Sequence, residues 1–351
     1  MTKQKIHGKT AKRLRRKKLQ LRVLLLLEIL IIFGAIGYLF YHYLYSKLEV
    51  TPVDTSQVQM NDFQDPNIKD YHNIVFLGVD SQTNDLDEDT RSDSIIVASI
   101  NKKTKDVKLV SIYRDTYSSI PDCGLTKINH SYSYGGPILT MTTLNRNFDL
   151  NITDFVCINF RGLANMVDIV GGVDIEIRED ELENLNAYIG DMNRINGGKS
   201  PRFKSAGKHT LDGNQAVAYS RIRFTSGGDF RRTERQRTVI LGIMEKAKAN
   251  PIVLYNLAIE ILPDIHTSLT KSELFLLAKD IFFYQFGETT GFPFDEENLG
   301  TSIGGVYYGV PNTLNTSVTK LHRYMFNTDD YIPSATVQEI SAAISSRLQG
   351  Y

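Results

Sequence analysis

The stretch SGGDFRRTERQR, residues 226–237, carries Arg231, Arg232, Arg235 and Arg237, and YSRIRF just upstream supplies Arg221 and Arg223. Guanidinium groups at this density need anions, and their planar fork matches phosphate oxygens bidentately. Two other segments pair arginine with aspartate: RSD, with Arg91 and Asp93, and RDT, with Arg114 and Asp115. Asp80, Asp93 and Asp229 are the ligands a hard cation such as Mg2+, or Mn2+ in its place, would take, since such an ion is often held by one or two carboxylates plus substrate phosphates. Any one of these arginines alone reads as a solvated charge or a structural ion pair. The cluster as a whole, with Arg235 as a further member, points to a pyrophosphate with a metal.

Other chemistries lack their residues. The chain has no P-loop and no GxSxG elbow, and its seven histidines are scattered without zinc-ligand spacing. His130, in KINHSYSYGG, reads either as a hydrogen-bonded structural residue or as a base.

Helical spacing places part of the cluster. Val239, Ile240, Ile243, Met244 and Ala247 form an inward apolar stripe, and the same spacing carried backwards lands on Gln236 and Arg232. An amide and a guanidinium thus continue a buried face at a helix N-terminus, where free backbone N–H groups favour an anion. Asp212 and Gln215 form a capping box for a short helix that carries Arg221 and Arg223 towards its far end; an extended reading would instead put Tyr219, Arg221 and Arg223 on one face.

The strand-like runs SDSIIVASI and VKLVSIY, joined by the polar NKKTKD, read as a hairpin whose open end sets Asp93 beside Arg114. A buried strand, NIVFLGVDS, ends at Asp80 and Ser81 and is expected alongside it. Strands then alternate with helices up to about residue 180, which predicts an α/β domain, a three-layer α/β/α arrangement with a mixed central sheet.

The formal net charge of zero hides a split. The first 22 residues hold ten Lys/Arg and no acid, leaving 30 Lys/Arg against 40 Asp/Glu in the remainder, a net of −10. Residues 23–45 are apolar apart from Glu28 and His42 and long enough to cross a bilayer as one transmembrane helix. The flanking charge predicts a single-pass membrane protein with a cytosolic tail over 1–22, a signal anchor over 23–45, an extracellular stalk over 46–72 and one outer domain over 73–351. The basic tail sets topology and touches anionic lipid; no nucleic-acid partner is expected. Cys123 and Cys157 both fall in the outer part, where a disulfide could persist.

The run NIVFLGVDS, RSDSIIVASINKKTKDVKLVSIYRDT, KINHSYSYGG, VDIVGGVDIEI, LDGNQAVAYSRIR and GDFRRTERQR, in that order over residues 73–249, resembles the LytR-CpsA-Psr family of cell-wall glycopolymer transferases. The resemblance implies an α/β/α enzyme of a Gram-positive-type envelope. Its donor would be an anionic glycopolymer (teichoic acid, capsule or another wall polysaccharide) linked through pyrophosphate to undecaprenol, and its acceptor peptidoglycan, at the 6-hydroxyl of an N-acetylmuramic acid. It also implies Mg2+ on the pyrophosphate and an apolar groove for the polyprenyl chain. The family's pyrophosphate arginines fall on Arg91, Arg114, Arg221, Arg223 and Arg232, its metal-site aspartates on Asp80 and Asp93, and further polar site residues on Asp229 and Gln236. Of these, Arg91, Asp93, Arg114, Arg221 and Arg232 are expected at the reacting centre. Two positions depart from the family pattern: Tyr113 stands where proline is usual, and Arg231 where glycine is usual.

Asp93 and Asp115 are both candidates for the base. A non-catalytic polyprenyl-pyrophosphate-binding protein, a membrane-bound transcription attenuator and a simple pyrophosphate hydrolase are the competing readings.

Overall fold

The computed structural model describes residues 50–79, 90–223, 225, 227–262, 265–294 and 298–349, together with scattered helical positions between 18 and 46. The basic tail expected over 1–22 falls largely outside the described residues, the anchor expected over 23–45 falls partly outside them, and Asp80 lies outside them altogether. Among the described residues no helix is long and apolar enough to cross a membrane.

Residues 50–351 form one compact unit. At its centre is a six-stranded mixed sheet of β1 (Tyr71–Val79), β2 (Ser92–Asn101), β3 (Asp106–Ile112), β6 (Asp154–Asn159), β9 (His266–Thr267) and β10 (Gln285–Phe292), ordered β10-β3-β2-β1-β6-β9. β2 runs antiparallel to both β1 and β3, whereas β1–β6 and β3–β10 are parallel pairs. Three small hairpins stand outside it: β4 (Tyr117–Ile120) with β5 (Gly124–Lys127), β7 (Val173–Ile177) with β8 (Gly207–Leu211), and β11 (Asn298–Ile303) with β12 (Val306–Pro311).

Both sheet faces are apolar because side chains alternate along a strand. Val75, Leu77, Val97, Val110 and Phe155 point to one core, with Met141, Leu144 and Phe148 of α1 (His130–Phe148), Leu314, Val318 and Leu321 of α8 (Leu314–Phe326) and Val337 of α9 (Ala335–Gln349). Phe76, Ile96, Ala98 and Leu109 point the other way, towards Ile240 and Met244 of α5 (Gly228–Ala249). A third cluster joins α2 (Phe160–Ile169), α3 (Leu182–Ile195) and α4 (Gly213–Arg221) to the β7–β8 hairpin. Two more helices, α6 (Pro251–Glu260) and α7 (Lys271–Asp280), flank β9 in the chain.

Two expectations are refined. The segment read as a stalk is, from residue 50 on, laid against the body: Val53, Val58 and Phe63 pack on the first core, and Val53 N donates to the Thr267 carbonyl at 3.0 Å. Its apolar residues are five apart and match neither helix nor strand period, so their burial left no periodic trace. Cys123 is exposed and Cys157 buried, and no disulfide joins them.

The same segment carries a buried pair. His322 Nδ1 lies 2.7 Å from Asp65 Oδ2, and His322 Nε2 lies 3.0 Å from the Phe148 carbonyl. Tyr331 stacks on the imidazole with ring centroids 3.6 Å apart. Burial would raise the Asp65 pKa, but hydrogen bonds from His322, Asn67 and Thr328 outweigh it and the net shift is downward. A depressed folded-state pKa contributes stability above the unfolded value of about 3.9, which is lost as pH falls through the folded value. His322→Ala should strip Asp65 of its partner and cost about 3–5 kcal/mol in urea denaturation at neutral pH. The variant's deficit should shrink as the medium is acidified below about pH 4.

Candidate active site

The site is assembled at the open end of the β2–β3 hairpin. The register that pairs Ile96 with Ser111 continues outward to bring Asp93 opposite Arg114, and Arg114 Nη1 donates to Asp93 Oδ1 at 2.7 Å. Arg114 Nε lies 3.9 Å from Asp115 and 3.8 Å from Asp229. Burial pulls the Arg114 pKa down, but Asp93, Asp229 and Asp115 more than offset it and the net shift is upward.

The chain enters α5 through Gly227 and Gly228, whose φ angles of +87° and +48° are ones that side chains with a Cβ rarely adopt. This reversal sets Asp229 in the first helical turn, where unpaired N–H groups favour a carboxylate. One turn on, Arg232 points inward and is 3% exposed. Its Nη2 lies 3.0 Å from Asp229 Oδ1 and donates to the Asp93 carbonyl at 3.1 Å, and its Nη1 lies 3.8 Å from Asp93 Oδ2. Burial lowers the Arg232 pKa; Arg114 and Arg223 add to that, while Asp229 and Asp93 oppose it.

Arg114 Nε, Arg232 Nε, Asp229 Oδ1 and Gln236 Oε1 are buried with no hydrogen-bond partner among the described residues. Buried polar atoms left this way are costly unless a ligand or solvent completes them. The stripe Arg232, Gln236, Val239, Ile243 and Ala247 faces inward as its spacing predicts.

Beside the cluster lies a cavity of about 270 Å³. Asp93, Ser94, Asn159, Ser220 and Gln236 are its polar lining, and Phe76, Ile96, Leu109, Ile158, Met166 and Met244 are among the apolar side chains that make up most of the rest. Asp93 belongs to both the charged cluster and the cavity.

The remaining expected residues sit around this centre. α4 carries the capping box of Asp212 and Gln215. Its last residue, Arg221, lays its guanidinium over Phe160 at 4.6 Å and Tyr188 at 5.6 Å from the ring centroids. Phe160 also lines the cavity, and among the described residues Arg221 forms no ion pair. Arg223 has left the helix, is exposed, and reaches Asp229 at 4.0 Å. Arg91 is exposed just before β2. His130 starts α1 within hydrogen-bond distance of Thr126, and burial first, then the charges of Arg91 and Lys127, hold its imidazole below the usual value. Among the described residues no three His, Cys, Asp or Glu side chains form a metal-binding group.

Arg235 is a correction. It is buried, donates from Nε to Glu181 at 2.8 Å, and also bonds the Ile222 carbonyl and Thr225 Oγ1. It therefore fastens the loop that carries Arg223 and does not face the cluster. Periodicity could not show this, because Glu181 lies 54 positions away with no motif of its own.

The two departures from the family pattern also resolve. Tyr113 packs edge-on against Phe230, centroids 4.7 Å apart, and fills the space a side chain at Gly291 would need, so it ties the RDT turn to the start of α5. Arg231 turns outward and pairs with Glu234 at 2.9 Å. Sequence reasoning missed the C-terminal hairpin's part in the site. Gly309 N donates to the Asp115 carbonyl, and Lys127, 2.7 Å from Asp115, lies over the Tyr308 ring. Burial raises the Tyr307 pKa, with Asp115 and Asp229 adding to it.

Fold and site together define an α/β protein in which a cluster of paired arginine and aspartate side chains adjoins an apolar cavity. The chain belongs to the LytR_cpsA_psr family, whose model matches residues 38–320. It is 36% identical over 193 residues to the polyisoprenyl-teichoic acid–peptidoglycan teichoic acid transferase TagU of Enterococcus faecalis, a match covering 54% of this chain and 56% of that protein. It is 30% identical over 304 residues to TagU of Bacillus subtilis, covering 84% and 92% of the two chains. The solved structure of TagT bound to LIIa-WTA superposes with a TM-score of 0.61 at 25% identity, covering 80% of this chain and 99% of that one.

Structural and ligand-facing arginines should separate experimentally. Glu181→Gln leaves Arg235 buried without its counter-ion and should cost about 3–5 kcal/mol in urea denaturation. Arg223→Ala should change stability by less than about 0.5 kcal/mol while weakening pyrophosphate binding measured by calorimetry.

Proposed function

We propose that the chain transfers an anionic glycopolymer from a polyprenyl-pyrophosphate carrier to peptidoglycan, forming a phosphodiester link. The observation that carries this reading is the junction at Asp93. A lipid-linked pyrophosphate is an anion joined to a long hydrocarbon, and the charged cluster and the apolar cavity meet at this residue. The names of the TagU relatives agree with it.

In the proposed reaction the acceptor hydroxyl oxygen attacks the sugar-bearing phosphorus, the bond from that phosphorus to the bridging oxygen breaks, and polyprenyl phosphate leaves. Arg114 and Arg232, with Arg91, Arg221 and Arg223 around them, neutralise charge on the phosphate oxygens as it shifts to the leaving group. The acceptor's proton passes to a carboxylate at the cluster, Asp93 or Asp115. Phe160 orients Arg221 by stacking, and the cavity wall keeps water from the lipid side.

Of the carboxylates expected to hold Mg2+ or Mn2+, Asp93 lines the cavity beside the arginines. Asp93 and Asp80 would hold the ion, with phosphate oxygens completing its shell. A bound ion would supply further neutralisation of the pyrophosphate. Residues 23–45 are read as the anchor and residues 50–351 as extracellular, so that the carrier lipid and the site share one membrane face.

The full-length protein, given a synthetic polyprenyl-pyrophosphoryl disaccharide and a peptidoglycan oligomer, should attach sugar in a divalent-cation-dependent way. Arg114→Ala and Arg232→Ala should each lower the rate by about 100-fold or more without loss of fold by circular dichroism. Binding of the donor with no attachment to any acceptor would replace transfer with lipid-pyrophosphate capture.

A further inference from the structure

The helices α6 and α7 and the turn after α7 leave large apolar side chains uncovered. α6 carries a single charge, Glu260, and neither helix has one fully buried residue. Ile252 is 69% exposed, Leu276 52%, Phe282 44% and Phe283 64%. Exposed apolar patches of this kind mark contact with another apolar surface.

Two observations say which surface. The inner sides of the same helices, at Leu254, Leu257 and Leu277, pack on the core cluster that contains Tyr284 and Phe286, and both of those aromatics line the apolar cavity. The inner sides of these helices and the cavity thus share one cluster of apolar side chains. The second observation is where the chain enters the body. Val53 N bonds the Thr267 carbonyl, and Thr267 belongs to β9, the strand between α6 and α7. Seven residues, 46–52, separate the expected end of the anchor from Val53, enough for about 25 Å of extended chain. The tether thus joins the body at the strand that lies between α6 and α7 in the chain.

We propose that the α6–α7 face docks on the bilayer surface, with Ile252, Leu276, Phe282 and Phe283 entering the boundary between headgroups and acyl chains. This inference rests on the anchor and lipid-donor reading above. It would give the carrier's hydrocarbon a path from bilayer to cavity in which its exposure to water is small.

The chain has no tryptophan, so single reporters can be placed without background. Full-length Phe283→Trp and Ile252→Trp would be reconstituted in phosphatidylcholine–phosphatidylglycerol vesicles, with and without bromine on the acyl chains. Ile332→Trp, 78% exposed and next to Tyr331 of the other core, serves as the control. Docking predicts blue-shifted emission and quenching by brominated lipid at 283 and 252, and neither at 332. Vesicle-bound protein whose emission at 283 and 252 is the same in both lipids overturns docking and leaves the anchor and the transferase reading standing. Protein that stays out of the vesicles overturns anchor and docking together. Quenching at 283 and 252 in a protein that attaches no sugar upholds docking and counts against the transferase reading alone.

Discussion

The site depends on keeping two guanidinium groups, Arg114 and Arg232, together in a place with little water. Alone they would repel each other, and burial already lowers the Arg232 pKa. Asp93 and Asp229 hold them: each carboxylate lies within 4.0 Å of both arginines. The arrangement is stable enough to preform, yet it leaves Arg114 Nε, Arg232 Nε and Asp229 Oδ1 without hydrogen bonds. A site that is charge-balanced in part and hydrogen-bonded in part is suited to an anion that brings both charge and acceptors.

The rest of the fold serves this quartet. The hairpin register delivers Asp93 and Arg114, and the glycine turn at 227 and 228 aims Asp229 and Arg232 at them. Tyr113 against Phe230 locks the two suppliers together. Arg235, with its buried partner Glu181 and its bonds to Ile222 and Thr225, fixes the loop between α4 and α5. That pair stabilises the position of Arg223 without approaching the ligand, which explains why an arginine-rich helix start contains members with different duties.

The adjoining cavity alters the strength of these charges. Low-dielectric walls on one side concentrate the cluster's field at the mouth, where a pyrophosphate would sit with its hydrocarbon in the cavity. The apolar cluster behind the cavity also receives the inner sides of α6 and α7, through Leu254, Leu257 and Leu277.

Local patterns in the sequence determined a good deal. Alternation, helical period and a capping box marked the hairpin of β2 and β3, the strand β1 and the helices α4 and α5. The three-and-four spacing behind Val239 named Arg232 and Gln236 as inward-facing, because such information lies within a few turns of one helix. Tertiary structure alone decided which arginines come together. Arg235 differs from Arg232 only in what lies across from it, and Glu181 is brought there by folding of a distant segment. Packing likewise decided that residues 50–70 belong to the body and that the C-terminal hairpin reaches Asp115. These are contacts between segments far apart in the chain, and no periodicity within either segment encodes the other.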